Sequence, residues 1–383
     1  MLYFDNAATT FPKPAEVRRA VCNAMIYEGA NPGRSGYPMA MDTAKTVYLC
    51  RERAGTFFGI PDPENVIFTK NCTEALNMVL MSGQITGHCI VSDMEHNSVL
   101  RPLYRRKEEE ALDYSVACVS EKDPEETVRS YRDAFRKDTK LVVATGASNA
   151  FGIKLPVREL ADLAHENGAL FLLDAAQTAG TEHYDMNKDH IDFICAPGHK
   201  GLLGPMGTGL LLAKDPEKID PLLFGGTGNF SLEASQPPDW PERMESGTLN
   251  VPGIAGLSAG IDKVMREGEE KIGEREMELL QLLYSELVKM PEVTLYTDIP
   301  TKRSHAALLS FNLGDLTGEK TAEILAERGV ATRGGFHCAA LAHRKMGTEK
   351  RGTCRVSIGP MTTFDDMMKL IRIIYEETKK NCS

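Results

Sequence analysis

Apolar and polar positions follow two alternating periods between residues 65 and 213. Short apolar runs of strand length are separated by longer segments in which apolar residues recur with helical spacing. The runs predict strands at 66–69, 89–92, 114–119, 141–144, 170–173, 193–195 and 209–213, and the segments predict helices near 97–108, 124–136 and 157–167. Such alternation is typical of an α/β fold, in which helices cover both faces of a mostly parallel sheet.

The two ends of the chain do not continue this regular alternation of strand and helix patterns. The N-terminal end predicts a short strand at 2–4 and helices at 15–27 and 38–58. Beyond residue 250 the pattern indicates an α+β unit, with helices at 253–267, 269–290, 320–327 and 363–379 and strands at 293–296, 306–312 and 355–358. We therefore predict a large domain of residues 14–250 and a small domain formed by residues 1–13 and 251–383.

Composition narrows the possible partners. The chain has 383 residues and a net charge of -10, which argues against a nucleic-acid partner. No apolar run reaches the length of a membrane span, and the N-terminus lacks the basic and apolar segments of a signal peptide. The nine cysteines are scattered without the paired spacing of a metal site. We expect a cytoplasmic protein with reduced cysteines, no membrane partner and no bound metal.

The first chemical candidate is Lys200, which follows a short apolar run and the turn residues Pro197 and Gly198. A lysine held in such a turn is commonly a solvated surface residue. When it is desolvated, however, its amine loses the proton and becomes a nucleophile that forms Schiff bases with carbonyl compounds. Lys200 alone does not decide between these two interpretations.

Asp174 favours the chemical interpretation, because it ends the buried-type run at 170–173 and Gln177 follows closely. Ligands of parallel sheets bind at the carboxyl ends of the strands, and a buried carboxylate there is costly unless a cation meets it. The protonated ring nitrogen of pyridoxal 5'-phosphate (PLP) is such a cation, and this cofactor pairs with an aspartate and a lysine. Asp174 and Lys200 close two successive predicted strands, so we predict a PLP site.

Ordered motifs over the whole length carry a family resemblance. The motifs are Tyr3-Phe-Asp-Asn-Ala-Ala-Thr-Thr10, Thr73-Glu74, Met94-Glu-His96-Asn97, Ser148-Asn149, Asp174-Ala-Ala-Gln177, Gly198-His-Lys200, Glu245-Ser-Gly-Thr248, Arg333-Gly-Gly-Phe-His-Cys338 and Cys354-Arg355. The chain resembles the class V aminotransferase-like enzymes of PLP fold type I, and within them the cysteine desulfurase and selenocysteine lyase group. The resemblance implies a seven-stranded, mostly parallel sheet with an antiparallel strand at 209–213, and a smaller α+β C-terminal domain.

The resemblance also implies how the cofactor is held. Cys72 and Thr73, at a predicted helix start, would bind the phosphate with help from His199, while Pro197 departs from the serine common in the family. The other implied contacts are His96 stacked on the ring, Asp174 at the ring nitrogen, Asn149 and Gln177 at the phenolic oxygen, and Lys200 as the Schiff-base lysine. Thr248 would reach the phosphate from a partner subunit, which implies a homodimer.

Cys338 would determine the reaction. It lies in a glycine-rich loop among Arg333, His337 and His343, whose positive charge would favour its thiolate. Other cysteines fall within apolar patterns and are predicted to be core residues: Cys22, Cys50, Cys89, Cys118 and Cys195. The resemblance implies that Arg355 binds the substrate carboxylate, and the further substrate-binding candidates are Asn31, Arg34 and Arg333.

The implied activity is conversion of L-cysteine to L-alanine. Lys200 would remove the α-proton, and the Cys338 thiolate would take the substrate sulfur as a persulfide. The short interval between Cys338 and Arg355 resembles members that pass sulfur to an acceptor protein. Three alternatives stay open: a selenocysteine lyase acting on L-selenocysteine, another PLP reaction such as transamination, and a non-catalytic PLP-binding scaffold.

Overall fold

The computed structural model describes residues 1–32 and 35–380. The elements before residue 250 are β1 (Leu2–Tyr3), α1 (Ala15–Tyr27), α2 (Pro38–Phe58), β2 (Val66–Thr69), α3 (Cys72–Leu80), β3 (Gly87–Ser92), α4 (Asn97–Glu108), β4 (Leu112–Ala117), α5 (Pro124–Asp133), β5 (Thr139–Thr145), α6 (Val157–Glu166), β6 (Leu170–Asp174), β7 (Phe193–Pro197) and β8 (Gly209–Ala213). Those after it are α7 (Val251–Glu267), α8 (Glu269–Leu287), β9 (Val293–Leu295), β10 (Leu308–Leu313), α9 (Gly318–Glu327), β11 (Val330–Ala331), β12 (Arg333–Gly335), α10 (Ala340–Lys345), β13 (Thr353–Ser357) and α11 (Phe364–Lys380).

Seven strands form the large sheet in the order β2-β8-β7-β6-β5-β3-β4. The neighbouring strands from β7 to β4 are parallel, and β8 runs antiparallel to both β7 and β2. Hydrophobic cores lie on both faces of this sheet. In β5, Leu141 and Val143 pack into the core on one face, and Val142 and Ala144 pack into the core on the other. The predicted α/β fold with one antiparallel strand is confirmed.

The strand order brings the predicted chemistry to one edge of the sheet. β6 and β7 are parallel neighbours with Asp174 paired to Cys195, so both strands end at the same edge. Asp174 is the last residue of β6, and Lys200 follows the end of β7 by three residues. The parallel pairing therefore places the aspartate and the lysine on the same side of the molecule.

A second, antiparallel sheet of order β12-β13-β10-β9 packs with α8, α9 and α11 around a separate core. The N-terminal strand joins this part of the chain, because Leu2 pairs with Val330 in a parallel bridge. Helix α7 packs against α1 and α2, and its residues Ile254, Leu257 and Ile261 belong to the core of the large sheet. The domain division at residue 250 stays a prediction.

Two local predictions are wrong. Cys22 and Cys118 are exposed, although the apolar pattern around them indicated core positions; Cys50, Cys89 and Cys195 are buried as predicted. The pattern fails there because one residue on a helix or strand end can face solvent among apolar neighbours.

In the described part of the chain, no helix is both long enough and apolar enough to cross a membrane.

Candidate active site

A cavity of about 200 Å³ lies at the carboxyl ends of the parallel strands. The residues that line it come from sequence motifs that are far apart along the chain. The predicted site residues that it brings together are Cys72, Thr73, His96, Asn149, Asp174, Gln177, His199, Lys200, Arg333 and Arg355. Both sheets contribute, since Arg333 and Arg355 lie on β12 and β13.

Lys200 is fixed by the turn that follows β7. The Gly198 N–H donates to the Thr208 carbonyl (2.9 Å), and a Cβ on Gly198 would lie 2.1 Å from Thr208 Oγ1, so the turn requires glycine. The N-terminal arm (residues 1–13) holds the same turn, because the Thr10 hydroxyl donates to the Lys200 carbonyl (2.8 Å). Burial, followed by the charge of Arg355, lowers the pKa of Lys200 to about 8. Near neutral pH a useful fraction of the amine is therefore unprotonated.

Asp174 is 2% exposed and forms the floor of the cavity. Its Oδ1 accepts hydrogen bonds from the Ala176 N–H (2.9 Å) and from the Cys72 thiol (3.5 Å). Burial raises the pKa of this carboxyl, while these donors and Lys200 oppose the rise. A cationic group in the cavity would complete the stabilisation of the carboxylate.

Helix α3 begins at the cavity wall, with Asn71 as its N-cap and Thr73 in its first turn. The N–H groups of a first turn have no acceptor within the helix, and the dipole there favours an anion. The Thr73 hydroxyl lies 2.9 Å from Ser98 Oγ, which in turn lies 2.7 Å from His96 Nδ1. Sequence reasoning missed Ser98, whose only signal is its position two residues after His96.

His96 is a neutral imidazole whose tautomer is set by its own helix. Its Nδ1 accepts the Ser98 N–H (3.0 Å) as the N-cap of α4, so the ring proton belongs on Nε2. Burial, with the charge of Lys200, lowers the pKa of His96 to about 4. The ring can therefore stack and donate from Nε2 without adding positive charge.

Arg355 is 1% exposed and bound on two sides. Its Nη2 pairs with Asp5 Oδ1 (2.9 Å), and its Nη1 donates to the Asn149 carbonyl (2.6 Å). Asp5 belongs to the N-terminal motif Tyr3–Thr10, but the sequence does not predict it as a site residue. It lies 350 positions away from Arg355, so only the fold reveals the pair.

Four buried polar atoms of the cavity residues have no hydrogen-bond partner within the described chain. They are Asn149 Oδ1, His199 Nδ1, His337 Nδ1 and Arg355 Nε. Native proteins pair nearly all such atoms, so the set indicates a polar ligand. Lys200, Arg333 and Arg355 make that ligand anionic on at least one side.

Cys338 is exposed and lies beside the cavity. The Asn97 N–H donates to its carbonyl (2.8 Å), which places it next to His96 at the start of α4. His337 and Cys338 both have left-handed backbone, with φ of 49° and 58°. Non-glycine residues adopt this conformation only when their surroundings enforce it, and functional loops often contain it.

The charge expected around Cys338 needs correction. Burial lowers the pKa of His337 to about 2 and that of His343 to about 4, so neither ring is positively charged at neutral pH. Of the three groups considered, only Arg333 carries a positive charge.

A family profile described as "Aminotransferase class-V" matches residues 2–370 of the chain. The chain belongs to the class-V aminotransferase family. This membership confirms the resemblance that the sequence motifs indicated.

Three proteins that are similar to this chain are named as cysteine desulfurases. A protein of Methanothermobacter thermautotrophicus named "Probable cysteine desulfurase" is 33% identical over 379 residues, covering 96% of this chain and 92% of that protein. A "Cysteine desulfurase" of Salmonella agona is 29% identical and covers 97% of this chain and 92% of its own length. The apo structure of a cysteine desulfurase from Thermococcus onnurineus superposes with a TM-score of 0.90 at 30% identity, over 99% of this chain and 95% of that chain.

Two predicted residues of this class-V chain do not line the cavity, and a third falls outside the described residues. Asn31 lines a different cavity with Tyr48 and Arg51. Thr248 is exposed and does not line the cavity of its own subunit. Arg34 lies outside the described residues.

The cavity fits the cofactor of the family. PLP has an anionic phosphate, a phenolic oxygen, a protonatable ring nitrogen and a carbonyl carbon. The cavity offers a helix N-terminus with the unpartnered His199 Nδ1, the amides of Asn149 and Gln177, the buried Asp174 and the amine of Lys200. Each chemical feature of the cofactor therefore has a matching group.

Proposed function

We propose that this class-V chain is a PLP-dependent cysteine desulfurase. The observation that carries the proposal is the convergence of Lys200, Asp174 and Arg355 on one cavity with the exposed Cys338 beside it. The names of the relatives support the same reaction. A lysine and an aspartate alone would suit many PLP enzymes, whereas the adjacent thiol is specific to sulfur chemistry.

The cofactor would be held by groups that the cavity already positions. Asp174 would bind the ring nitrogen, and Asn149 and Gln177 the phenolic oxygen. Cys72, Thr73 and His199 would bind the phosphate, and His96 would lie against the ring. When bound, PLP supplies an electron sink that eases removal of the α-proton.

The side chains of this chain then have separate tasks. Arg355 retains an unpartnered Nε and, with Arg333, would bind the substrate carboxylate, for which guanidinium geometry is well suited. The Lys200 amine, with its lowered pKa, would take the α-proton. The burial of Arg355 and its pairing with Asp5 would fix the orientation of the substrate.

Cys338 would complete the sulfur transfer as a thiolate. Its Sγ would attack the substrate sulfur, so that an S–S bond forms while the bond between that sulfur and the substrate β-carbon breaks. The electron pair of the broken bond stays with the carbon skeleton, which takes up protons and leaves as alanine. The sulfur remains on Cys338 as a persulfide.

The partners belong to the proposal as well. Cys338 is exposed, so the persulfide would be accessible to a protein acceptor. A homodimer is supported by Thr248, which is exposed and does not line the cavity of its own subunit, so that it would be available to a partner's cavity.

The deciding experiment compares alanine production from L-cysteine and from L-selenocysteine with a reductant present. For Cys338→Ala we expect cysteine turnover below about 1% of wild type, with absorption by bound PLP retained. Cys118→Ala removes another exposed thiol and serves as the matched control, which should keep full turnover. Turnover of selenocysteine alone, unaffected by Cys338→Ala, would instead establish a selenocysteine lyase.

A further inference from the structure

A second cavity, of about 50 Å³, borders the cavity of the proposed cofactor, and Lys200 and Gln177 line both. It lies where the N-terminal arm, helix α8 and the segment after β13 meet. Its volume is sufficient for a small ion or roughly one or two water molecules. Its polar side chains include those of Thr10, Thr181, Glu276 and Ser357.

Glu276 is the unusual member of this set. It is 5% exposed, and no hydrogen bond or ion pair joins its carboxyl to another group in the described chain. Burial raises the pKa of Glu276 to about 8, opposed by the charge of Arg275. A buried carboxylate without a partner is costly, so this group requires either a proton or a cation.

The hydrogens of the neighbouring hydroxyls are taken by backbone carbonyls. Thr10 Oγ1 donates to the Lys200 carbonyl (2.8 Å), Thr181 Oγ1 to the Thr178 carbonyl (3.2 Å), and Ser357 Oγ to the Phe4 carbonyl (3.2 Å). A hydroxyl whose hydrogen is used elsewhere presents only lone pairs to any other neighbour. Thr10 and Thr181 can therefore act only as acceptors toward the cavity, as the ligands of a hard cation do, and Ser357, whose Oγ also accepts the Ala7 N–H (2.8 Å), has one lone pair left.

We propose that this cavity binds a monovalent cation, with Glu276 as its charged ligand. One carboxylate balances one positive charge, and the remaining ligands would be neutral oxygens. The described residues contain no group of three or more histidine, cysteine, aspartate or glutamate side chains that could hold a metal. Such a site leaves no cysteine or histidine spacing, which is why the sequence indicated no metal.

Two positive groups limit the affinity. Lys200 lines the same cavity, and Arg275 precedes Glu276 on α8, where its guanidinium donates to the Pro360 carbonyl. Both oppose a second cation, so we expect weak binding that depends on salt composition. The site would join α8 to the N-terminal arm and to the turn that carries Lys200.

Protonation competes with the cation and gives the test its pH dependence. A carboxyl whose pKa is raised from 4.5 to about 8 by folding stabilises the protein at low pH, and this contribution is lost as pH rises toward 8. A cation bound to the carboxylate would offset that loss. The stabilisation by a cation should therefore be small at pH 6 and large at pH 8.5.

The experiment measures thermal unfolding of the full chain in potassium, sodium, ammonium or choline chloride at equal ionic strength. At pH 8.5 we expect at least one small cation to raise Tm above the choline value by about 3 °C or more, and this gain should nearly vanish at pH 6. Glu276→Gln should abolish the difference. Glu278→Gln removes an exposed carboxylate from the same helix and should retain it.

The same measurement can also overturn the proposal. Equal Tm values in all four salts at pH 8.5 would show that Glu276 is simply protonated and would overturn the proposal. If Glu276→Gln does not fold, anomalous scattering from a rubidium-soaked wild-type crystal decides the question. A peak beside Glu276 supports the site, and a map without one there overturns it.

Discussion

Asp174 and Glu276 are two buried carboxyls in the two cavities that Lys200 lines, and they differ in the hydrogen bonds that they accept. Asp174 accepts hydrogen bonds from the Ala176 N–H and the Cys72 thiol and faces a lysine. Glu276 has no hydrogen-bond donor in the described chain, and only the charge of Arg275 opposes the rise of its pKa. Burial raises the pKa of both groups, but only Asp174 has contacts that hold it as a carboxylate.

The difference shows how a fold prepares a charged group for a ligand. The donors around Asp174 keep its charge in place before the proposed cofactor binds, which reduces the reorganisation that binding requires. Glu276 lacks such donors, so its charge would depend on what enters the small cavity. The site at Asp174 is preorganised, whereas the charge at Glu276 depends on whether a cation is bound.

Replacing Asp174 should have the largest effect. Asp174→Asn keeps the shape but cannot stabilise a protonated ring nitrogen, so we expect desulfurase activity to fall by about 10²–10³-fold. The cofactor-free protein should be no less stable at pH 8, because the raised pKa means that the charged carboxylate costs folding free energy there. Turnover and Tm measured on the same preparation check both expectations.

Asp133→Asn serves as the control for charge, since Asp133 is exposed on α5. It should change neither quantity. If Asp174→Asn retained full activity, or lost stability in proportion to activity, the carboxylate would be a structural residue and the contrast with Glu276 would fail.

The pH dependence of Lys200 has the next largest effect. Its pKa of about 8, against an ordinary value of 10.5, leaves roughly 300-fold more unprotonated amine at pH 7 than a solvated lysine has. The rate at which PLP absorption develops in the cofactor-free protein should rise with pH and reach half its maximum near pH 8. Free acetyl-lysine titrated in the same way provides the reference.

Arg355→Gln sharpens this test, because the charge of Arg355 is the second cause of the lowered pKa. The midpoint should move upward in that variant. A wild-type midpoint near 10 would mean that Lys200 is solvated, and its proposed role as the base at neutral pH would be lost.

Much of the fold and the outline of the cavity could be read from the sequence. Strand-length apolar runs that end in Asp174 or in the turn before Lys200 give both the sheet and its reactive edge, because parallel strands end together. The pairing of Asp5 with Arg355 could not be predicted, since it joins residues at opposite ends of the chain. The neutrality of His337 and His343 also depends on burial by distant segments, which no local pattern reports.

Short helices and strands could not be predicted from the sequence either. The strand at Arg333–Gly335 and the helix at Ala340–Lys345 flank Cys338 in a stretch whose glycines predict only a loop. Both are too short for periodicity to appear, and pairing with β13 fixes the first of them. The geometry of Cys338 is thus set by tertiary contacts.

His199 should give the smallest effect. Its Nδ1 is buried without a partner in the described chain, and burial lowers its pKa to about 4, so the ring is neutral at pH 7. His199→Leu should weaken PLP retention by roughly 10-fold, the value of one hydrogen bond to a charged group. His199→Asn can place an amide near the same position and should restore most of the affinity. Because the neutral ring does not titrate between pH 6 and 9, the loss should be constant over that range; a loss confined to low pH would show that His199 acts as a cation, which its burial opposes.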